Sequence, residues 1–239
     1  MSAPEESTIQ TVKVPGSPNR EFGVTLVVGT LIVAFLWFYQ YRWSSRSYEE
    51  YIVVTTGALL FVPLLSILIG MRSTLDTFGL TPGDPKLSLR YGLGMLLLML
   101  PFVWLSSRTS GAMNYYPLFK RFPLAYPLSW SYVLYFELLY GMYLFAWEWF
   151  FRGFLFFGLA RGVGSWALFA QAVPFWMLHA GKPLPEFYGS LVAGLVLGFV
   201  ARRTGSFLTG FVVHWTIAVL YDLLVMAALA SAGFPLLTR

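Results

Sequence analysis

Residues 132–159 read YVLYFELLYGMYLFAWEWFFRGFLFFGL, a run of apolar residues that holds only three charged side chains. This length and composition are typical of a helix that crosses a bilayer, which needs about 20 mostly apolar residues. The whole chain carries 11% charged residues, whereas soluble domains carry about 25%. So few charges cannot cover a water-facing surface, and the composition therefore predicts an integral membrane protein.

Working outward from this stretch, we find apolar segments along most of the chain. They predict an all-α, polytopic transmembrane bundle of about seven spans, within a range of six to eight. The predicted spans are 22–41, 51–71, 89–106, 132–159, 165–180, 187–201 and 207–230. Residues 1–20 are polar and rich in proline, so we expect a disordered tail before a single domain, 21–239.

Several classes of function are excluded by what the sequence lacks. It has no cysteine, which rules out disulfides, thiol nucleophiles and cysteine-based metal sites. HExxH, GxSxG and a GxGD aspartate pair are also absent, which argues against the corresponding metalloprotease, serine and aspartate mechanisms. We find no nucleic-acid motif, and the net charge of +5 suits contact with anionic lipid headgroups.

Ionisable residues inside apolar sequence are the candidate functional groups, because a charge at mid-bilayer costs roughly 2.5–3.5 kcal/mol on insertion scales. They are Glu137, Glu148 and Arg152 in the fourth span, His179 at the end of the fifth, and His214 and Asp222 in the seventh. Helical spacing puts the three residues of the fourth span on one face, together with Gly141 and Leu144. His214, Ala218 and Asp222 form a stripe on another helix.

Three of these groups are predicted to meet at one level of the membrane. Counted from the same membrane side, Glu148 lies about 15 Å deep, His179 about 22 Å and His214 about 12 Å. Glu137 is expected near the opposite interface. A carboxylate and two imidazoles in a water-poor site suit hydrolysis, and Arg152 would hold the carboxylate or balance its charge.

Other interpretations of the same residues remain open from the sequence. Glu148 and Arg152 also fit a structural ion pair, and His179 fits a solvated position near an interface. Glu137 fits a packing or interfacial role. Buried glutamate, histidine and arginine also occur in proton-coupled transporters, although these often consist of two repeated halves, and we find no internal repeat.

The residues also resemble a known family. Glu148-Trp-Phe-Phe-Arg152-Gly153, Phe175-Trp-Met-Leu-His179 and His214 resemble the three motifs of the CPBP family. That family includes the CAAX prenyl endopeptidases and the bacteriocin-processing and Abi proteins. The family pattern is Glu-Glu-x-x-x-Arg, Phe-x-x-x-His and His-x-x-x-Asn/Asp on three helices. The resemblance covers about 129–230.

The resemblance implies an intramembrane endopeptidase that cleaves near the C-terminus of a membrane-anchored protein or peptide. It implies that Glu148 and His179 activate water and that His214 helps to form the oxyanion site. The segment 179–186, HAGKPLPE, looks like a bacterial subgroup that includes enzymes processing C-terminal sorting signals. In that subgroup Lys182 and Glu186 sit at the mouth of the site, and the expected location is a bacterial inner membrane.

The sequence departs from the family pattern at two positions. Trp147 replaces the first glutamate of the pair, and Ala218 replaces the asparagine. We expect Glu148 to act in place of the first, and Asp222 to orient His214 or His179 through an N–H···carboxylate bond. The alternative is a non-catalytic membrane partner or immunity protein of the same fold.

Metal dependence is a further open question, because the family has been described both as metal-dependent and as glutamate proteases. If the enzyme were metal-dependent, Zn²⁺ would be bound by Glu148, His179 and His214. We favour a mechanism without metal, because no pair of histidines is preset on one helix.

Overall fold

The protein is a helical bundle in a computed structural model that describes residues 17–42, 48–118 and 129–234. The long helices are α1 Pro18–Arg42, α2 Tyr48–Leu65, α3 Pro85–Ser106, α5 Trp130–Glu148, α8 Leu184–Thr204 and α9 Leu208–Ser231. The short ones are α4 Ser110–Tyr115, α6 Phe156–Val163 and α7 Ala167–Met177. Six helical segments of the described chain are long and apolar enough to cross a membrane. The predicted all-α polytopic bundle is thus confirmed.

The fifth predicted span is shorter than the sequence suggested. α7 has 11 residues, which gives about 16 Å of helix, only half of the roughly 30 Å of a hydrocarbon core. It is followed by a turn in which Gly181 has a φ of 89°, a left-handed conformation that suits glycine, and Pro183 then precedes α8. His179 therefore lies on a turn between α7 and α8, and the run from Trp130 to Met177 counts as one candidate span.

Parts of two predicted segments lie outside the described residues. Of the predicted tail, 1–20, positions 1–16 are not described, while residues 18–20 form the first turn of α1. The connection 107–130, between the third and fourth predicted spans, contains α4. Within that connection, residues 119–128 are not described.

Two glycines allow α7 and α8 to pack closely. A Cβ at Gly194 would lie 3.1 Å from the Ala172 Cβ, and one at Gly198 would lie 2.6 Å from the Gln171 Nε2. Gln171 uses that amide to donate to the Gly194 carbonyl at 2.8 Å. The GxxxG pair of α8 thus faces α7. The close packing of these two helices fixes the position of the turn that joins them.

A glycine also brings α5 and α9 together. A Cβ at Gly141 would lie 2.6 Å from the Trp215 ring, and the indole nitrogen of Trp215 donates to the Glu137 carbonyl at 3.0 Å. The predicted stripe of α5 therefore faces the predicted stripe of α9. Because the two helices run antiparallel, Glu148 lies level with His214, and Glu137 lies level with Asp222.

The α5 helix ends at Glu148, and the chain changes from α-helical to π-helical winding immediately after this residue. Ser129 caps the start of α5 by accepting a hydrogen bond from the Tyr132 backbone N–H at 3.3 Å. A π-helical segment, Trp149–Leu155, then joins α5 to α6. Such π-helical turns within α-helices occur frequently at functional sites.

Candidate active site

Glu148 is the central group of the site. Its side chain is fully buried, and its Oε1 accepts from the Arg152 Nη1 at 3.0 Å and from the His214 Nδ1 at 2.7 Å. The carboxylate thus points from α5 towards α9 and meets His214, which was predicted at the same level of the membrane. Because Oε1 is already held by two donors, the buried carboxylate is better placed to orient His214 than to contact a substrate itself.

Arg152 balances the charge of Glu148. The guanidinium is wholly buried, and its Cζ lies 3.9 Å above the centre of the Phe175 ring, which is a cation–π contact. An isolated charge is expensive to bury, whereas a paired and hydrogen-bonded one is tolerated. The ion pair that was one of the two interpretations of these residues is present, and it also holds His214.

The environment of His214 determines which nitrogen is available for chemistry. The Glu148 carboxylate is ionised beside the Arg152 guanidinium and can only accept hydrogen bonds. The Nδ1 of His214 must therefore be the donor in its contact with Glu148, so Nδ1 carries the proton. In the neutral ring, Nε2 then has a lone pair and can accept a proton. The side chain is 24% exposed, which makes His214 the accessible member of its pair with Glu148.

His179 has the same tautomer for a different reason. Its Nδ1 lies 2.7 Å from the Phe175 backbone carbonyl, and a carbonyl can only accept, so Nδ1 carries the proton and Nε2 has the lone pair. Burial, and secondly the nearby Lys182 ammonium, hold the pKa of His179 well below its usual range, against the effect of the carbonyl bond. This imidazole is therefore neutral, and its electrostatic neighbours include His214 and Arg152.

Phe175 connects these groups, and the sequence analysis did not assign it a place in the site. Its ring centre lies 4.4 Å from that of His179 and 6.3 Å from that of His214, and the ring also contacts the Arg152 guanidinium. Its place in the Phe-x-x-x-His motif was the available signal. A second missed residue is Gly210, where a Cβ would lie 3.2 Å from the Glu148 Oε2.

Trp147 occupies the position where the family pattern has a glutamate. The side chain is 5% exposed, and its ring packs against Phe151, Phe175 and His179 at centre-to-centre distances of 5.2, 6.0 and 6.1 Å. The indole of Trp147 thus lies in the packed interior of the bundle. No carboxylate stands beside His179 at this point of the helix.

Two predicted supporting residues lie away from this centre. Glu137 and Asp222 are both buried and interact with each other through their side chains. Asp222 lies two turns from His214, about 12 Å along the helix. The role predicted for Asp222 is therefore corrected: Glu148 orients His214, and the Phe175 carbonyl orients His179. Glu137 lies beside Asp222, about 16 Å along α5 from Glu148.

Lys182 and Glu186 form an ordered ion pair near His179. The Lys182 Nζ lies 2.6 Å from the Glu186 Oε1, and the hydroxyl of Tyr116 donates to the Glu186 Oε2 at 2.6 Å. Burial, the largest single effect, lowers the pKa of Lys182, but Glu186 together with Tyr115 and Tyr51 raises it above its usual value. Lys182 and Glu186, which were predicted at the mouth of the site, are thus part of a partly buried cluster that also includes Tyr116.

The proposed zinc ligands do not fit a metal ion. No group of three or more histidine, aspartate and glutamate side chains in the described ranges is arranged to hold one. The carboxylate among these proposed ligands is that of Glu148, and its Oε1 is bound by the cationic Arg152. A second cation at that oxygen would be repelled, so we derive no step through a metal.

Comparison with known proteins identifies the part of the chain that carries this site. Residues 129–220 match the family model described as Rce1-like, type II CAAX prenyl endopeptidase Rce1-like. The predicted resemblance is confirmed over this segment, which includes Glu148, Arg152, His179 and His214 and ends before Asp222. No curated protein and no solved structure matched the chain.

Proposed function

We propose that this protein is an intramembrane endopeptidase that hydrolyses a peptide bond near the C-terminus of a membrane-anchored protein or peptide. The observation that carries the proposal is the 2.7 Å contact between the Glu148 carboxylate and the His214 imidazole inside a bundle that lies in lipid. The Rce1-like segment supports the reaction class. We place the enzyme in a bacterial inner membrane, with the bilayer and the anchored substrate as its partners and without nucleic acid or cofactor.

In the proposed reaction, His214 is the general base. Its Nε2 takes a proton from water while the water oxygen bonds to the carbonyl carbon, and the C=O π electrons move to the carbonyl oxygen. The tetrahedral oxyanion then collapses, re-forms the C=O bond and expels the amide nitrogen, which takes the proton back from His214. The products are a carboxyl group and an amine, and the imidazole returns to its neutral form.

The remaining side chains orient and balance these steps. Glu148 fixes the tautomer of His214 and stabilises the imidazolium that forms, as a buried carboxylate does in a catalytic triad. Arg152 keeps Glu148 ionised in a medium that disfavours charge. The neutral His179 accepts a hydrogen bond from the attacking water at Nε2. This proposal revises our expectation that Glu148 itself is the base.

A non-catalytic membrane partner is the second candidate, because Trp147 and Ala218 depart from the family pattern. Restoring glutamate at 147 and asparagine at 218 distinguishes the two. If the site is adapted to its present residues, the restored variant cleaves more slowly than the wild type. A large gain in cleavage would instead indicate a decayed enzyme.

The test is a comparison of membrane-protein C-termini by mass spectrometry in cells with and without the gene. We expect at least one C-terminus that depends on the gene, and its processing to be lost in Glu148→Gln and His214→Ala. Glu137→Gln is the matched control, since it alters a buried glutamate of the same helix outside the site. Normal processing in both site variants would refute the proposal, and proton flux into liposomes that requires Glu148 would favour a transporter.

A further inference from the structure

Trp147 has a buried donor that finds no acceptor among the described residues. The side chain is 5% exposed, and no acceptor of the described chain lies within hydrogen-bonding distance of its Nε1. An indole N–H can only donate, and buried polar groups in native proteins nearly always have a partner. The environment of Trp147 is therefore suited to a guest that supplies an oxygen acceptor.

The indole borders the reaction centre. Its ring centre lies 6.1 Å from that of His179 and 6.0 Å from that of Phe175, and the Phe175 ring lies 6.3 Å from that of His214. Trp147 also directly precedes Glu148 on α5. A substrate carbonyl that enters between the two imidazoles would thus lie next to the indole.

Two of the other donors around this space have partners, whereas the Arg152 Nε and Nη2 are, like the Trp147 Nε1, buried without an acceptor among the described residues. The N–H groups of His214 and His179 face the Glu148 carboxylate and the Phe175 carbonyl. Ala218, at the position of the family's asparagine, has no side-chain donor. The Arg152 guanidinium is wholly buried and covered on one face by Phe175.

We infer that the Trp147 indole N–H binds the carbonyl oxygen of the peptide group to be cleaved and stabilises the oxyanion that forms on it. The inference rests on the proposed endopeptidase function and adds a catalytic residue to it. It also gives a chemical meaning to the loss of the paired glutamate, because an acceptor at position 147 is replaced by a donor. The bound group is a peptide carbonyl, which accepts a hydrogen bond from an uncharged N–H such as that of the indole.

The test removes this N–H alone. Benzothienylalanine, in which sulfur replaces the indole N–H, is incorporated at position 147, and Trp147→Phe is measured beside it. The matched control is the same pair of changes at Trp176, whose indole N–H is also buried without an acceptor in the described structure. The Trp176 ring packs on Phe187 of α8 at 5.2 Å.

The assay follows cleavage by the purified protein of the membrane protein whose C-terminus depends on the gene. Loss of one oxyanion donor lowers kcat by about 10²–10³ in other hydrolases. We expect that loss for benzothienylalanine at 147, with KM and the thermal unfolding midpoint unchanged and the variants at 176 within about threefold of wild type. A purely structural role of the indole would instead shift the unfolding midpoint together with the kinetics.

Two failures are distinguishable in the same assay. If benzothienylalanine at 147 leaves kcat within about threefold of wild type while Glu148→Gln and His214→Ala abolish cleavage, this inference is wrong and the endopeptidase remains. If Glu148→Gln and His214→Ala also cleave normally, the proposed function fails and the inference fails with it.

Discussion

Replacing Arg152 by methionine leaves the Glu148 carboxylate in the core without its counter-ion. Both side chains have no exposed surface, and their N–O distance is 3.0 Å. Removal of one partner of a buried ion pair destabilises proteins by about 3–5 kcal/mol, because the remaining charge has lost its compensation. The guanidinium also leaves the Phe175 ring, a contact worth about 2 kcal/mol when desolvated. We therefore expect Arg152→Met to lie at the upper end of this range.

A double-mutant cycle isolates the charge effect. In Glu148→Gln/Arg152→Met both charges are gone, so the double variant is expected to be more stable than Arg152→Met alone. Arg152→Lys is the matched control: it retains the charge but loses the planar fork, and we expect a smaller loss than for methionine. The free energy of unfolding is measured in detergent micelles by denaturant titration.

The refuting result is quantitative. If Arg152→Met destabilises the protein by less than about 1 kcal/mol, the value of an exposed ion pair, the pair is not buried as we describe. If the double variant is no more stable than Arg152→Met, the uncompensated carboxylate is not the cause of the loss.

Three further predictions concern neighbouring positions. Gly210→Ala places a Cβ 3.2 Å from the Glu148 Oε2. We expect this variant to lower kcat about tenfold in the cleavage assay while thermal unfolding shows an intact fold. Unchanged cleavage would contradict the geometry. Gly198→Leu forces α8 away from Gln171 and is expected to destabilise the protein by about 1–3 kcal/mol or more, measured by denaturant titration. The pKa of His179 is lowered well below 6.5 in the folded protein. As pH falls, His179 therefore takes up a proton in the unfolded chain before it does so in the folded protein. Stability is then lost below about pH 6.5, by at most about 1.4 kcal/mol per pH unit, and His179→Asn should flatten the decline in unfolding midpoints between pH 7 and 5.

The sequence singled out Glu148 and His214, which the structure brings together, but it did not predict every partner of the candidate residues. Glu148 and His214 stood out because ionisable residues in apolar runs are rare and costly, which is a local property of the sequence. Their shared level followed from the 1.5 Å rise per residue of a helix. The partner of Asp222 did not follow, because hydrogen bonds between helices depend on how far each helix is rotated and shifted along its neighbour.

The sequence by itself determined that this chain is a helical membrane protein, where most of its long helices lie, and which few polar groups they bury, since lipid demands apolar segments that satisfy their own backbone. Only the tertiary structure decided that α7 stops halfway, that both imidazoles are protonated at Nδ1, and that Glu148 is held between Arg152 and His214. These features arise from contacts between side chains that are distant in sequence, such as the 66 positions that separate Glu148 from His214. Helical periodicity indicates which face a residue lies on, but packing decides which group it meets there.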